Sequence, residues 1–194
     1  MLGAALIVAG LFLVASRPPV ALVQPAPVAS VTLSQAPVVS GTTTSPPSLP
    51  PPTRDPHAPI PTGYRVQIPR LSIDLPIAEG DVARDIDQQK TPENFAFHLP
   101  GSAIPEQGSN TYLYAHARTG MFLTLWNARP GDEIFISTPD LRVLTYVVQD
   151  VQSRVPPTDV SWVQPTPSER LTLQTSTGPN AGDPRFVVVA VPAK

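Results

Sequence analysis

Apolar and polar residues alternate along several short segments in the second two-thirds of the chain. A period of two residues predicts β-strands that bury one face. The predicted strands are residues 64–69, 71–77, 111–116, 133–137, 141–150, 170–176 and 185–191. The last is a nearly continuous apolar run, RFVVVAV, which predicts a strand buried on both faces.

Turn-forming residues separate these segments, and helical patterns are few. Thr138, Pro139 and Asp140 lie between two of the predicted strands and predict a hairpin-like turn. Helical stretches are expected only at 82–89 and 122–127. Many short strands with turns between them indicate an all-β domain, either a closed barrel or a sandwich.

The beginning of the chain has a different character. Residues 1–16, MLGAALIVAGLFLVAS, are almost wholly apolar and uncharged. The run is short for a membrane-spanning helix, which needs about 20 apolar residues, and Pro18 and Pro19 end it. We favour an uncleaved membrane-anchor helix, with a cleaved secretory signal as the alternative, although no basic segment precedes the run. A buried core helix is the least favoured interpretation, because the segment is separate from the predicted strands.

A proline-rich segment follows. Residues 17–63 contain 13 prolines between Pro18 and Pro61, interspersed with serine and threonine. Such a segment cannot bury a core, so we expect a disordered stalk that is partly polyproline II. When fully extended, at about 3.1 Å per residue, it would hold the domain up to roughly 140 Å from a membrane. Its expected role is a spacer, and the alternative is a ligand for a partner domain that binds proline-rich peptides. His57 is expected to be solvated.

Charged residues confirm this division of the chain. Only Arg17, Arg54 and Asp55 lie in residues 1–63, so the other 25 of the 28 charged residues lie in 64–194. Eleven of the twelve aromatic residues also lie there. The chain therefore divides into an apolar head, a proline-rich stalk and a globular domain that begins at residue 64.

The overall charge and the absence of cysteine exclude several functions. A formal net charge of −2 argues against nucleic acid as a partner, because phosphate binding needs clustered lysine and arginine. The chain contains no cysteine, which excludes disulfides, cysteine-ligated zinc, iron–sulfur centres and thiol nucleophiles. No phosphate-binding glycine loop is present either.

Four segments of the domain resemble motifs of one protein family. Residues 64–77 read YRVQIPRLSIDLPI and resemble an opening strand of the form I-P-x-L-x-I-x-x-P-I. Residues 98–102 read HLPGS, and residues 108–116 read GSNTYLYAH. This second stretch resembles a strand of the form G-N-x-x-I-x-G-H, whose last residue is a catalytic histidine in the family.

The other two segments follow in the same order as in the family. Residues 131–134 read GDEI and are followed by YVV at 146–148 and VPPTD at 155–159, similar to G-D-x-I … Y-x-V … V-x-P-x-D. Residues 171–176 read LTLQTS and are followed by RFVVVA at 185–190, similar to L-T-L-x-T-C … R-x-V-V-x-A. The ordered set resembles the sortases, the cell-wall transpeptidases of mainly Gram-positive bacteria.

This resemblance covers essentially all of residues 64–194, and an anchor followed by a linker also matches the family layout. It implies a closed sortase-type β-barrel of about eight strands with short helices. It also implies cleavage of a Leu-Pro-x-Thr-Gly-like sorting-signal peptide between Thr and Gly, followed by transfer to an amine acceptor, with no cofactor and no metal. With the anchor, it implies a single-pass membrane protein whose domain lies on the extracellular side. The sortase class stays open, because the loop between residues 176 and 185 is short and generic.

The resemblance assigns catalytic positions to His116, Ser176 and Arg185, and Ser176 stands where the family has cysteine. In the family the histidine protonates the leaving amine, and the arginine binds the developing oxyanion or the peptide backbone. A serine hydroxyl is far less acidic than a thiol, so it needs a general base in hydrogen-bond contact. We see no acidic partner for His116 in the sequence, and Asp183 is expected to pair with Arg185 or to cap a turn.

Four interpretations of Ser176 stay open. In the first, the protein is an enzyme that carries out slow serine-dependent acyl transfer. In the second, it is an inactive sortase-fold module that binds peptides or regulates a sortase, and in the third it is a structural cell-surface domain. In the fourth, Ser176 replaces the cysteine of a parent sortase. Candidate substrate-binding residues are Thr175, Trp162 and Pro157, and the alternative for Trp162 is a role in core packing.

The remaining polar residues receive simpler interpretations. His98, two residues before Pro100, is expected in a loop. Asp85 and Asp87 suggest a calcium site, but two acidic residues in a helical stretch more commonly form a solvated face, so no metal is predicted.

Overall fold

The structure is a computed structural model, and it describes residues 58–194. The anchor predicted at 1–16 and most of the stalk predicted at 17–63 lie outside the described residues. Between residues 58 and 194, no helix is long and apolar enough to cross a lipid bilayer.

Eight strands dominate the described part of the chain, and its helices are short. The strands are β1 (Arg65–Ile68), β2 (Ile73–Glu79), β3 (Ala96–His98), β4 (Asn110–Tyr114), β5 (Glu133–Ser137), β6 (Val143–Val155), β7 (Arg170–Ser176) and β8 (Arg185–Pro192). The 3₁₀-helices are Pro69–Leu71, Leu123–Asn127 and Val160–Val163, and a π-helix spans Ala83–Asp87. The prediction of an all-β domain with short helices is confirmed.

The strands close into a barrel in the order β1-β2-β3-β4-β7-β8-β6-β5. The pairs β2–β3 and β4–β7 are parallel, and the other pairs are antiparallel. Closure gives each of these eight strands a neighbouring strand on both sides, so the described barrel has no edge strand. The predicted closed barrel is confirmed, and so is the hairpin between β5 and β6.

Two strands differ from the prediction for identifiable reasons. The sequence pattern missed β3, which has three residues and is too short to show a period. The prediction that His98 lies in a loop is wrong, because His98 ends β3 and is 1% exposed. Strand β6 runs to Val155, beyond the predicted end at residue 150, and its pairing with β8 shifts at two bulges. Bulges interrupt the alternation that marks a strand in a sequence.

Strand β8 is buried on both faces, as its apolar run predicted. Its inner face contributes to the barrel core with Phe186, Val188 and Ala190. On the outer face, Val187 and Val189 form a smaller cluster with Val155, and the partly buried Trp162 packs against that cluster. The loop after β6 therefore covers the outside of β8.

The side chain of Arg70 connects the 3₁₀-helix Leu123–Asn127 to the start of the barrel. The Arg70 guanidinium pairs with both carboxylate oxygens of Asp132 and also donates from Nη2 to the main-chain oxygen of Asn127 over 2.6 Å. Asp132 accepts a further hydrogen bond from the main-chain nitrogen of Arg129. The guanidinium of Arg70 holds the pKa of Asp132 below its usual value.

Candidate active site

The antiparallel register of β7 and β8 brings Ser176 and Arg185 together. Ser176 ends β7, Arg185 begins β8, and the two residues are directly paired. Arg185 Nη1 lies 3.5 Å from Ser176 Oγ. The guanidinium also donates to the main-chain oxygen of Asp183 over 2.8 Å and to that of Ala181 over 3.0 Å. These two carbonyls hold the guanidinium beside the serine hydroxyl.

The loop between β7 and β8 is compact. Thr177 donates to the Pro184 carbonyl from both its main-chain nitrogen, over 3.0 Å, and its hydroxyl, over 2.8 Å. The Asp183 carboxylate accepts a hydrogen bond from the Asn180 main-chain nitrogen over 2.7 Å. Asp183 therefore caps the turn, which is one of the two roles predicted for it. A Cβ atom at Gly178 would overlap this carboxylate, so a larger residue there would displace the Asp183 side chain.

His116 reaches the same end of the barrel from β4. It follows the strand by two residues, just after Ala115, whose main-chain nitrogen donates to the Gln174 carbonyl over 3.2 Å. The parallel neighbours β4 and β7 thus carry His116 and Ser176 at their adjoining ends. His116 Nε2 lies 2.9 Å from the main-chain oxygen of Thr91. A carbonyl only accepts, so Nε2 carries a proton and donates to it.

The three predicted catalytic residues are therefore only partly assembled. Ser176 and Arg185 are in contact, whereas His116 is hydrogen-bonded to Thr91 rather than to Ser176. While that bond persists, Nδ1 is the ring nitrogen that can accept a proton. The partner of the ring is a carbonyl rather than a carboxylate, so the His116 ring lacks the acidic partner that a serine-based triad uses.

Ser176 lies on the outer side of the barrel wall formed by β4, β7 and β8. Alternate residues of a strand share a face, so Ser176 shares its face with Gln174, whereas Leu173 points into the core. Gln174 accepts a hydrogen bond from the Tyr112 hydroxyl. Burial raises the pKa of Tyr112 above its usual value, so this phenol stays protonated as a donor. The half-buried Gln174 is thus the neighbour of the serine on this face, whereas Tyr112 is buried.

The predicted substrate-binding residues have different environments. Thr175 is fully buried and donates from its hydroxyl to the Ala115 carbonyl over 2.9 Å, so its side chain offers no surface to a peptide. Trp162 is half-buried, as the core-packing alternative for it implied, and its Nε1 donates to Asp159 over 3.0 Å. Pro157 is exposed in the turn before the 3₁₀-helix Val160–Val163.

Sequence analysis missed a tryptophan at the site. Trp126, in the 3₁₀-helix Leu123–Asn127, donates from Nε1 to the main-chain oxygen of Ser176 over 3.2 Å, and the residue is 42% exposed. None of the family motifs includes it. An aromatic residue in a short helix after the histidine motif was the available signal, but nothing in the pattern indicates contact with Ser176.

A second serine–histidine–carboxylate chain was also missed. Ser102 Oγ lies 2.9 Å from His98 Nε2, and His98 Nδ1 lies 2.8 Å from Glu79 Oε2. The connectivity is that of a catalytic triad, and Ser102 lines a cavity of about 240 Å³. However, Ser102 Oγ also lies 2.8 Å from the Leu99 carbonyl and accepts from the Tyr112 main-chain nitrogen over 3.3 Å. Its oxygen is therefore fully occupied by hydrogen bonds.

The predicted solvated face at the π-helix is wrong for Asp85. Asp85 is buried, pairs with Arg84 and accepts a 2.5 Å hydrogen bond from the Tyr114 hydroxyl. Burial alone would raise the pKa of Asp85, but these hydrogen bonds outweigh it and lower the pKa. Among the residues that the structure describes, no group of three or more His, Asp or Glu side chains could hold a metal ion.

The comparison with protein families agrees with this fold. The model of the Sortase domain matches residues 66–193, so the chain belongs to the sortase family. The family and the fold support a transpeptidase of the sortase type. No curated protein sequence matches the chain significantly.

Solved sortase structures are similar to this barrel. A lid mutant of sortase A from Corynebacterium diphtheriae is 28% identical, with a TM-score of 0.58, and the match covers 69% of this chain and 71% of that one. Sortase C-1 from Actinomyces oris is 25% identical, with a TM-score of 0.57 over 69% of this chain and 75% of that one. Sortase A from Listeria monocytogenes, at 20% identity and a TM-score of 0.58 over 69% and 88%, supports the fold.

Proposed function

We propose that this protein carries out sortase-type acyl transfer on Leu-Pro-x-Thr-Gly-like sorting-signal peptides, with Ser176 as the nucleophile. The observation that carries the proposal is the direct pairing of Ser176 with Arg185, whose guanidinium is held 3.5 Å from the hydroxyl oxygen. A fixed cation beside a nucleophile is what acyl transfer requires, because negative charge develops on the attacked carbonyl oxygen. Membership of the family supports the substrate class.

The reaction proceeds in two steps. Ser176 Oγ attacks the threonine carbonyl carbon, an ester bond forms, and the carbon–nitrogen bond to glycine breaks. The proton of the hydroxyl passes through His116 to the leaving amine. An acceptor amine then attacks the ester carbon, the carbon–oxygen bond breaks, and a proton returns to Ser176. Water in place of the amine gives hydrolysis.

Arg185 serves the oxyanion in both steps. A guanidinium is always charged and presents several donors in one plane. Its contacts with the carbonyls of Asp183 and Ala181 fix it before any substrate arrives. Catalytic donors that need no reorganisation stabilise a transition state more effectively than mobile ones.

The serine limits the rate. A thiol can be activated by a neighbouring cation, whereas a hydroxyl needs a base in hydrogen-bond contact. His116 can serve as that base only after its contact with Thr91 is released or through Nδ1. We therefore expect slow turnover by the serine protein and faster turnover by a Ser176→Cys variant.

The same contact favours a second candidate function, which is peptide binding without turnover. A histidine that donates to Thr91 does not activate Ser176, so a protein kept in this arrangement would recognise a sorting signal and leave it intact. Such a module would bind peptides or regulate a catalytically competent sortase.

The remaining parts of the proposal concern location and contacts. We propose that residues 1–16 anchor the chain in the membrane and that residues 17–63 hold the domain on the extracellular side. The partners are then the sorting signals of secreted proteins and an amine acceptor. Pro157 and Trp162 lie in the loop that we propose to border the peptide groove.

An assay of cleavage and transfer tests the proposal. The full chain is incubated with a panel of Leu-Pro-x-Thr-Gly peptides and an amine, and Ser176→Cys and Ser176→Ala variants are treated in parallel. We expect slow product formation by the wild type, faster formation by the cysteine variant and none by the alanine variant. Product from the cysteine variant alone would favour the binding function, and inactivity of both would overturn the acyl-transfer proposal.

A further inference from the structure

The indole of Trp126 lies beside the candidate nucleophile although no family motif contains it. Its Nε1 atom donates to the main-chain oxygen of Ser176 over 3.2 Å. Trp126 is nevertheless 42% exposed, whereas tryptophan is highly buried on average in folded proteins. The structure therefore combines a fixed orientation of the ring with an open apolar surface at the candidate reaction centre.

The end of the β4–β7 pairing explains the position of this hydrogen bond. The two strands are parallel, and the main-chain nitrogen of Ala115 donates to the Gln174 carbonyl just after the last paired residues. Carbonyls two residues apart in a strand point toward the same neighbour, so the Ser176 carbonyl faces the side on which β4 has ended. The Trp126 indole supplies the donor that β4 no longer provides.

The segment that carries Trp126 is itself anchored on both sides. Leu125 is fully buried in the barrel core. The main-chain oxygen of Asn127 accepts a hydrogen bond from Arg70 over 2.6 Å. Because its neighbours and its own N–H group are fixed, the indole loses little conformational freedom when a ligand packs against it, and such preorganisation favours binding.

We propose that the exposed face of Trp126 forms a wall of the substrate groove and that the acyl-donor peptide packs against it, next to the carbonyl that Ser176 attacks. This inference rests on the proposed function and deepens it. The indole N–H is already used, so the ring offers a flat apolar surface and no free donor. It therefore favours an extended peptide that places apolar atoms, such as the threonine methyl group, against the ring, and Trp126 is a specificity-determining residue.

Intrinsic fluorescence tests the contact directly, because the chain has two tryptophans, Trp126 and Trp162. The full chain carrying Ser176→Ala and Trp162→Phe is kept in a mild detergent and titrated with a Leu-Pro-Glu-Thr-Gly peptide. Only Trp126 then emits, and the alanine prevents turnover. We expect a saturable blue shift of the emission, because the peptide removes the ring from water. Binding measured by calorimetry without any change in emission would overturn the inference.

Affinities of variants separate packing from the hydrogen bond. In the Ser176→Ala chain, Trp126→Ala is expected to weaken peptide binding about three- to ten-fold, and Trp126→Phe to stay within about twofold, because phenylalanine keeps an aromatic face without the N–H. Equal losses for both variants would mean that the contact with the Ser176 carbonyl matters rather than the wall, and would overturn the inference.

Val143→Ala is the matched control for removal of an exposed apolar side chain. Val143 is 59% exposed and begins β6, whereas Arg185 pairs with Val155 at the other end of that strand. We expect no change in affinity for this variant.

Calorimetry on the unsubstituted chain separates the two proposals, since no binding to any peptide of the panel would overturn the proposed function together with this inference. Binding that Trp126→Ala leaves unaltered would overturn the inference alone.

Discussion

His116 Nε2 lies 2.9 Å from the main-chain oxygen of Thr91, and this contact sets the state of the candidate catalytic histidine. Thr91 belongs to the loop after the π-helix Ala83–Asp87. In the same loop, Glu93 forms an ion pair with Arg118, two residues beyond His116. The loop is thus held against the segment that carries the histidine, and His116 must leave Thr91 before Nε2 can exchange a proton with a peptide.

Replacement of His116 separates its structural contact from its chemistry. His116→Gln keeps a side-chain donor for the Thr91 carbonyl, whereas His116→Ala removes it. We expect the alanine variant to lose about 1 kcal/mol of stability, or about 3–6 °C in melting temperature, and the glutamine variant to stay close to the wild type. Thermal unfolding measures both. Equal melting temperatures for the two variants would mean that the contact contributes nothing to stability.

Both His116 variants are expected to abolish peptide cleavage, because glutamine cannot transfer a proton in the required way. The assay is made in the Ser176→Cys chain, where turnover is expected to be faster. Cleavage that survives His116→Gln at more than a tenth of the starting rate would rule out His116 as the proton-transfer group.

The guanidinium of Arg185 is expected to be more than a positive charge. In the Ser176→Cys chain, Arg185→Lys should lower kcat/KM about 100-fold, because lysine cannot bind the Asp183 and Ala181 carbonyls while also presenting a donor to the oxyanion. Steady-state kinetics with the best peptide of the panel give the ratio. A loss of less than threefold would show that charge alone suffices.

Stability at low pH depends on Asp132. Pairing with Arg70 lowers the pKa of this carboxylate in the folded state. The ion pair therefore contributes its full stabilisation at pH values above the pKa of Asp in the unfolded chain, about 3.9. That stabilisation is lost as the pH falls through the lower pKa of the folded state. Asp132→Asn should therefore destabilise the protein at pH 7 and make little difference at pH 2. Urea unfolding at pH 7 and at pH 2 measures the loss in free energy of unfolding. An equal loss at both pH values would contradict the assignment of this pH dependence to Asp132.

Ser102 is expected to be inert despite its contact with His98. Its oxygen already has three polar neighbours, so Ser102→Ala should leave cleavage and any acyl adduct unchanged. His98→Ala should cost about 1–3 kcal/mol, because it leaves buried polar groups around Glu79 and Ala103 without their partner. An acyl adduct on Ser102 would contradict the prediction that the second serine–histidine–carboxylate chain is inert.

Much of the fold could be predicted from the sequence, because it rests on local alternation. The predicted strands at 133–137 and 170–176 match β5 and β7 residue for residue. Strand β3 was not predicted because three residues are too few to show an alternating pattern. The end of β6 was not predicted because bulges interrupt its alternation of apolar and polar residues.

The candidate site was less predictable. The family motifs placed Ser176 and Arg185, and the register of two neighbouring strands brought them together. The partners of Ser176 and His116 from other segments, Trp126 and Thr91, are 50 and 25 residues away in the chain. Such contacts depend on how the loops close over the barrel, and no local pattern of residues encodes them.

The nucleophile is the central claim, and intact-protein mass spectrometry tests it most directly. The full chain is incubated with a Leu-Pro-x-Thr-Gly peptide without an amine acceptor, quenched in acid and digested to locate any added mass. We predict an added acyl group, equal to the peptide up to its threonine, on Ser176 in the wild type and none in the Ser176→Ala variant. An adduct on another residue, or an adduct on Ser176→Cys with none on the wild type under any condition, would contradict the assignment of Ser176 as a working nucleophile.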